Sequence, residues 1–380
     1  MKYSNIGGQA VMEGVMMRNG SKYAVAVRTA DRSIAVQCGT YKGLIRSKKV
    51  ANIPILRGML SFVDSLYLGM KTLMFSADMF AEESESELEE RLADEQKKAE
   101  KKAAKLRAAG KEQQADETLK AFTGKAEKER AALKERAASE SGKSSDADNS
   151  LLLTLTMILS VVFSVGLFML LPYFLSRLLR RVISSETVIS VAEGCLRMLI
   201  FFAYMFAISR MKDIQRTFMY HGAEHKCINC IEHGLELNVE NVRKSSREHK
   251  RCGTSFLLIV MVVSVVFFLF IRSDNPVTRL LLRIVLIPVV AGVSYEFIRL
   301  AGRSDSALVN LLSKPGLCLQ HLTTREPDDD QIRVGIASVE AVFNWKKYLN
   351  ENFGASYTWD ASDEPHEGEE LYVLRDGETA

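Results

Sequence analysis

The chain has 380 residues, with 50 Lys+Arg against 47 Asp+Glu and a formal net charge of +3. That balance supplies no basic field of the kind nucleic-acid binding requires. The mean hydropathy of −0.01 averages unlike regions, because a stretch rich in charge is followed by long apolar runs.

The N-terminus, MKYSNIGGQAVMEG, has no apolar core behind its lysine and does not read as a cleaved signal peptide. Two alternating stretches, KYAVAVRT and SIAVQCG, predict a β-hairpin closed by the short ADR link. Before them, GGQAVMEGVMMR is apolar but interrupted by Gly7, Gly8 and Gly14. Residues 55–81 predict a helix in which Arg57, Asp64, Lys71 and Asp78 recur every seven positions. One polar stripe on an apolar helix favours an interfacial or bundle-packed element over a lipid-facing span. Residues 1–81 thus form one N-terminal unit.

Residues 82–149 hold 15 Lys+Arg and 18 Asp+Glu with leucines too sparse for a heptad seam. They read as a solvated helical or disordered insertion, flexible at SGKSSDADNS, and as a tether for a protein partner.

Four membrane spans are expected at 151–175, 188–209, 254–271 and 280–298. Glu193 and Arg197 share a helix face in the second, and Arg283 and Glu296 lie in the fourth. Charges there should face the bundle interior and pair. The loop 210–253 alone carries nine Lys/Arg, so the positive-inside rule places that loop and both termini in the cytoplasm. The fold class expected is a mainly α polytopic membrane protein, with a small N-terminal β-hairpin unit and a long charged insertion. Within the C-terminal region 304–380, SDSALVNLLSK is expected to stop at Pro315-Gly316, and Asp328–Asp330 to open a helix. An acidic, loosely ordered tail is expected to follow.

The chemistry concentrates in YHGAEHKCINCIEHG, residues 220–234, which holds three of the six histidines and two of the six cysteines. On a helix, His221 and His225 lie one turn apart on one face and can reach one cation. Glu224 sits beside them, free to act as a base. Two histidines and a non-ligating carboxylate are what metal-assisted hydrolysis uses. The further ligand must come from elsewhere: Glu232, His249, Cys252, Glu13 or Glu296. A competing reading takes Cys227, Cys230, His233, His249 and Cys252 as a closed structural zinc site. The third possibility is that these residues only pack and hydrogen-bond.

The segments GGQAVMEGVMMR (7–18), YHGAEHKCINCIEHGLELNVENVRKSSREHKRCGTSF (220–256), SYEFIRLAG (294–302) and KPGLCLQHLTTREPDDDQIRVGIASVEAV (314–342) together resemble the YqhQ-like family of bacterial membrane proteins. The resemblance implies a bacterial cell-membrane protein, and the family's label of "predicted metal-dependent enzyme" implies a metal. Cys227 and Lys250 stand where relatives are expected to have threonine and proline, which weakens Cys227 as a shared ligand. The ligand set then reads as His221, His225 and Cys252 or His249, with Glu13 as a further candidate and zinc as the expected divalent ion. The activity expected is that of a membrane-embedded hydrolase with its site at the cytoplasmic face and Glu224 as general base. A metal-stabilised scaffold or assembly factor is the alternative, and a transporter the third reading. No phosphate loop, nucleophile elbow or dinucleotide fingerprint narrows the substrate.

Overall fold

A computed structural model describes the chain except residues 1, 30–31, 46–47, 109–110, 113–115, 117–118, 121, 129, 132–146, 180–181, 272–274, 303–305, 367 and 376–380. The expected flexible SGKSSDADNS segment and the orientation residues Lys134, Arg136, Lys143, Arg180, Arg181, Arg272 and Arg303 fall wholly or partly outside the described residues.

The N-terminal unit is larger than one hairpin. Strands β1 (Gly7–Val11), β2 (Gly14–Asn19), β3 (Lys22–Arg28) and β4 (Ile34–Thr40) form an antiparallel meander. The C-terminal β5 (Glu370–Leu374) adds to β4, giving the order β1-β2-β3-β4-β5. The expected β3–β4 hairpin is present, with Tyr23, Val25 and Val27 on one face. The glycine-broken GGQAVMEGVMMR is itself a hairpin, turning at Met12–Glu13. The tail expected to be loose supplies β5, because LYV alternates and fills a sheet edge.

Both faces of the sheet are covered. Helix α1 (Leu56–Ala108) packs Leu68 against Val11, Met16, Tyr23, Val25 and Val27. Its polar stripe turns inward: Arg57 binds Glu296, Asp64 accepts from Tyr41 Oη at 2.7 Å, and Lys71 lies 5.4 Å from the Tyr23 ring centroid. Val63, Leu66, Tyr67, Met70 and Met74 point outward and are exposed. That inverted amphipathicity suits contact with lipid rather than water. At its start, α1 crosses the eighth helix closely, with Gly58 against Gly292.

The apolar helices follow. Helix α2 (Ala147–Val165) passes through a π-helical turn (Gly166–Leu170) into α3 (Leu171–Leu178). Then come α4 (Glu186–Ile208), α5 (Lys212–Glu232), α6 (Val239–Lys244), α7 (Gly253–Leu269) and α8 (Pro276–Ala301). Among the described residues three stretches are long and apolar enough to cross a membrane: Ile158–Leu178, Glu186–Ile208 and Val277–Ala301. Helix α7, expected as the third of four spans, has 17 residues, or about 26 Å against a hydrocarbon core of about 30 Å. The expected pairing of interior charges is present, since buried Glu193 takes Arg197 at 3.1 Å and Arg283 at 2.5 Å. Both guanidinium groups also lie over the Phe268 ring.

Helix α9 (Ala307–Thr323) does not stop at Pro315-Gly316. It runs on because Gly316 lets the helix approach Ser255 of α7, where a Cβ would come within 2.9 Å. Helix α10 (Asp329–Glu340) opens with a capping box between Asp328 and Gln331, as the acidic run suggested. It breaks before α11 (Trp345–Phe353), which ends on left-handed Gly354. The sheet face carrying Val15, Met17, Ala24 and Ala26 packs on α5 and α10 in one core with Ile228, Ile231, Ile332 and Val339.

Candidate metal centre

Helix α5 is amphipathic only in its first half; from Tyr220 onward its residues other than the part-buried His221 are buried. It runs antiparallel to β1, with Ser4 at Glu232, Gly8 at Glu224 and Glu13 at Tyr220. Glycine is needed at two of the closest approaches. A Cβ on Gly222 would meet the Arg325 carbonyl oxygen at 2.0 Å, and one on Gly8 would meet Met16 O at 2.6 Å and Glu224 Cγ at 2.9 Å.

His221 and His225 lie one turn apart as expected, with ring centroids 4.4 Å from each other. His221 Nδ1 donates to Thr323 O at 2.8 Å, and His225 Nδ1 donates to Arg247 O at 2.6 Å. Each carbonyl can only accept, so each fixes the tautomer of the neutral ring, the form that a metal ligates, with the lone pair on Nε2. Both Nε2 atoms face Cys252, whose Sγ lies 3.2 Å from that of His221. One ligand atom each from His221, His225 and Cys252 fall within 4.8 Å of one another. His225 Nε2 is buried and has no hydrogen-bond partner among the described residues.

Cys252 is the N-cap of α7, and its sulfur accepts from Thr254 N at 3.4 Å. Burial opposes its thiolate, but His221 and His225 outweigh burial and hold the thiol well below its ordinary 9.0. Burial likewise opposes the His221 imidazolium, yet Cys252, Glu224 and the Thr323 carbonyl raise it to about 9. Glu224 is pushed up by burial, offset in part by the two histidines. Its carboxylate lies 3.9 Å from His221 Nε2 and accepts the Gly8 N–H.

The other candidates are placed elsewhere. Glu13, expected as a possible ligand, pairs with Arg216 and accepts from Tyr220 Oη at 3.2 Å, because the hairpin turn carries it past the first turns of α5. His249 packs its ring 5.6 Å from that of His225 and is not one of the three clustered ligands. Its Nε2 lies 3.6 Å from Glu232, and burial lowers its pKa. Glu232 accepts from Ser4 N and Oγ at 2.8 Å and binds Arg251, which ties the N-terminal segment down. Glu296 is taken by Arg57. The closed Cys/His zinc site is not assembled: Cys227 packs under Gly335, Cys230 Sγ donates to Glu236 O at 3.2 Å, and His233 Nδ1 bonds Asn229 O at 2.7 Å.

Two contributors had no signal in the sequence beyond their presence in LQHLTTREP. Gln320 holds the His249 backbone at both ends, accepting from its N–H and donating to its carbonyl at 2.8 Å each. Thr323 supplies the carbonyl for His221. Both sit on α9, so the helix that runs past Pro315 is what orients the loop bearing Cys252.

A cavity of about 610 Å³ opens onto the cluster, lined by Gly8, Ala10, His221, Glu224, His249 and Cys252 among others.

A multi-helix chain with membrane-type helices and a His-His-Cys cluster beneath a small sheet belongs to a defined family. Residues 53–345 match the family described as "Protein of unknown function (DUF1385)", and the chain is a member of it. It is 33% identical over 347 residues to "Uncharacterized protein YqhQ" of Bacillus subtilis (strain 168), covering 91% of this chain and 94% of the relative. The expected family membership is thereby established; neither match names an activity or a metal. No solved structure matches the chain.

Proposed function

We propose that the chain is a membrane-embedded, metal-dependent hydrolase whose site lies at the cytoplasmic face. The observation that carries this reading is the convergence of two tautomer-fixed Nε2 atoms and one sulfur beside an open cavity. A structural zinc site closes its shell with four protein ligands, whereas a catalytic one keeps a position open. Three donors and a cavity correspond to the second. The donor set of two imidazoles and a thiolate suits zinc, and the partnerless His225 Nε2 is a group that a cation would satisfy.

When bound, a divalent ion supplies Lewis acidity at the open position. The chain's own residues do the rest. Glu224, raised by burial, takes the proton of the attacking water and returns it to the leaving group. The Gly8 N–H bonds its carboxylate at the cavity wall. Thr323 and Arg247 hold the two imidazoles in the ligating tautomer.

The membrane arrangement proposed has four spans, with α7 crossing despite its length. Its support is that strands β1–β4, helix α5 and helices α10–α11 share one packed core with β5. Crossings between consecutive members of that core must therefore be even in number, so α8 needs α7 as its return. The nine Lys/Arg of 210–253 favour the cytoplasm for this body.

A second reading, Cys252 as nucleophile with His221 as its base, is favoured by their 3.2 Å contact and the helix N-terminus beneath the sulfur. The metal content of purified protein decides between the two. We expect about one equivalent of zinc, lost in His221→Ala, His225→Ala and Cys252→Ala and retained in Glu224→Gln. Loss of the metal in Glu224→Gln makes that residue a ligand and removes the base from the mechanism. Metal-free protein that is active, and inhibited by zinc, supports the nucleophile instead.

A further inference from the structure

The cavity has a wall that the hydrolytic reading leaves unexplained. Strand β1 is the end strand of the sheet and, among the described residues, pairs only with β2. Val11 and Gly14 flank the two-residue turn Met12–Glu13 and so form a hydrogen-bonded pair. Alternation then turns the backbone groups of Gln9 and Gly7 toward β2, and those of Gly8 and Ala10 away from it. The outward groups face the cavity, which Gly7, Gly8, Gln9 and Ala10 all line. Gly7 is exposed and the next three residues are half-buried.

The same cavity is bounded on one side of β1 by Ser65 and Leu68 of α1, and on the other by Thr217, His221 and Glu224 of α5. It therefore runs along the strand edge, between the helices that cover the two faces of the sheet. The edge stands next to the reacting position: Gly8 N–H bonds Glu224, and Glu224 is 3.9 Å from His221 Nε2. Gly7 and Gly8 have no side chains, so another backbone can approach this end of the edge closely.

An unpaired edge recruits strands, and proteins normally cover or charge such edges. Here a volume of about 610 Å³ is left beside it. That is the size of a small-ligand cleft, room for a few residues of one extended chain but not for a second folded sheet.

Resting on the hydrolase reading, we propose that the substrate is a peptide segment bound in extended form along the free edge of β1. Its backbone pairs with Ala10 N–H and C=O and with Gly8 C=O. This β-augmentation lays successive peptide carbonyls past the Glu224 carboxylate and the His221–His225–Cys252 cluster. Main-chain pairing supplies affinity with little dependence on side chains, and it aligns the scissile bond with the strand axis. Gly8 N–H stays with Glu224, so the pairing is interrupted at the residue opposite it, where a carbonyl is then free to turn toward the cluster.

Zinc-loaded full-length protein tests this with hydroxamate probes, which anchor to the metal. The set is acetohydroxamate, octanoyl hydroxamate, a mixed library of N-acetylated tetrapeptide hydroxamates, and the same library N-methylated on its backbone. We expect the peptide library to bind about tenfold or more tighter than acetohydroxamate, the increment of one or two main-chain hydrogen bonds. N-methylation should abolish the gain. So should Ala10→Pro, which removes an amide that the sheet does not use and which an edge strand tolerates. Neither change should alter acetohydroxamate binding or zinc content. Equal binding of acetohydroxamate and the peptides overturns the peptide proposal while leaving the metal site standing. So does equal binding of methylated and unmethylated peptides, or a gain given by the octanoyl chain instead. Protein that holds no zinc, or zinc-loaded protein that binds none of the probes, overturns the metal reading and this one with it.

Discussion

His225 buries Nε2 without a hydrogen-bond partner among the described residues, while its Nδ1 donates to Arg247 O. An orphaned buried nitrogen of this kind costs about 1–3 kcal/mol, and a ligated cation relieves it. Zinc should therefore raise the midpoint of thermal unfolding of metal-stripped protein, and the rise should vanish in His225→Ala. The neighbouring sulfur gives a chemical check. Cys252 lines the cavity and its histidines draw its thiol well below 9.0, whereas burial pushes the Cys227 thiol well above 9.0. Metal-stripped protein at neutral pH should be alkylated by iodoacetamide at Cys252 and not at Cys227, and zinc should protect it. Glu232 offers a pH dependence away from the cluster. Burial raises its pKa, but His249, Arg251 and the Ser4 N–H outweigh burial, so the folded value is depressed below 4.5. A depressed carboxylate contributes stability that is fully present above the unfolded value and is lost as pH falls through the folded one. Thermal unfolding of the native protein should weaken more steeply below about pH 4.5 than that of Glu232→Gln.

At the scale of elements, the site depends on how closely α5 approaches its neighbours. Gly222→Ala would drive a methyl into the Arg325 carbonyl at 2.0 Å. It should cost about 1–3 kcal/mol and lower zinc affinity by shifting Thr323, two residues from Arg325, off His221. The sequence made part of this element legible. The HGAEH spacing placed two imidazoles on one face, and the seven-residue polar stripe of α1 marked one polar face on an otherwise apolar helix. What it could not show is that the stripe faces the protein and that the apolar side faces outward, because periodicity fixes a face and not its direction. Gln320 and Thr323 were illegible for a different reason. Both act through main-chain groups of distant segments, and a backbone carbonyl leaves no trace in residue identity. Nor could the sequence show that Arg216 and Tyr220, some two hundred residues on, hold Glu13.

For the whole molecule, the sheet joins both ends of the chain, with β5 on β4 and β1 along α5. That closure depends on contacts hundreds of residues apart, which is why the tail read as loose and the hairpin as small. It also ties topology to the site, since the sheet, α5 and α10 can share one core only if the membrane is crossed an even number of times between β4 and α5, and again between α5 and α10. Ser184, between α3 and α4, should then lie outside the cell. A Ser184→Cys variant lacking the native cysteines should be labelled by an impermeant maleimide added to intact cells, and a variant with Ser21→Cys, at the exposed β2–β3 turn, should be labelled only after the cells are opened. X-ray absorption at the metal edge of purified, zinc-loaded protein reads the cluster itself. The expected shell is one sulfur and two imidazole nitrogens from the chain, plus one light-atom donor that changes when acetohydroxamate is added. A shell of four protein ligands unaffected by the probe, or one without sulfur, would contradict that arrangement.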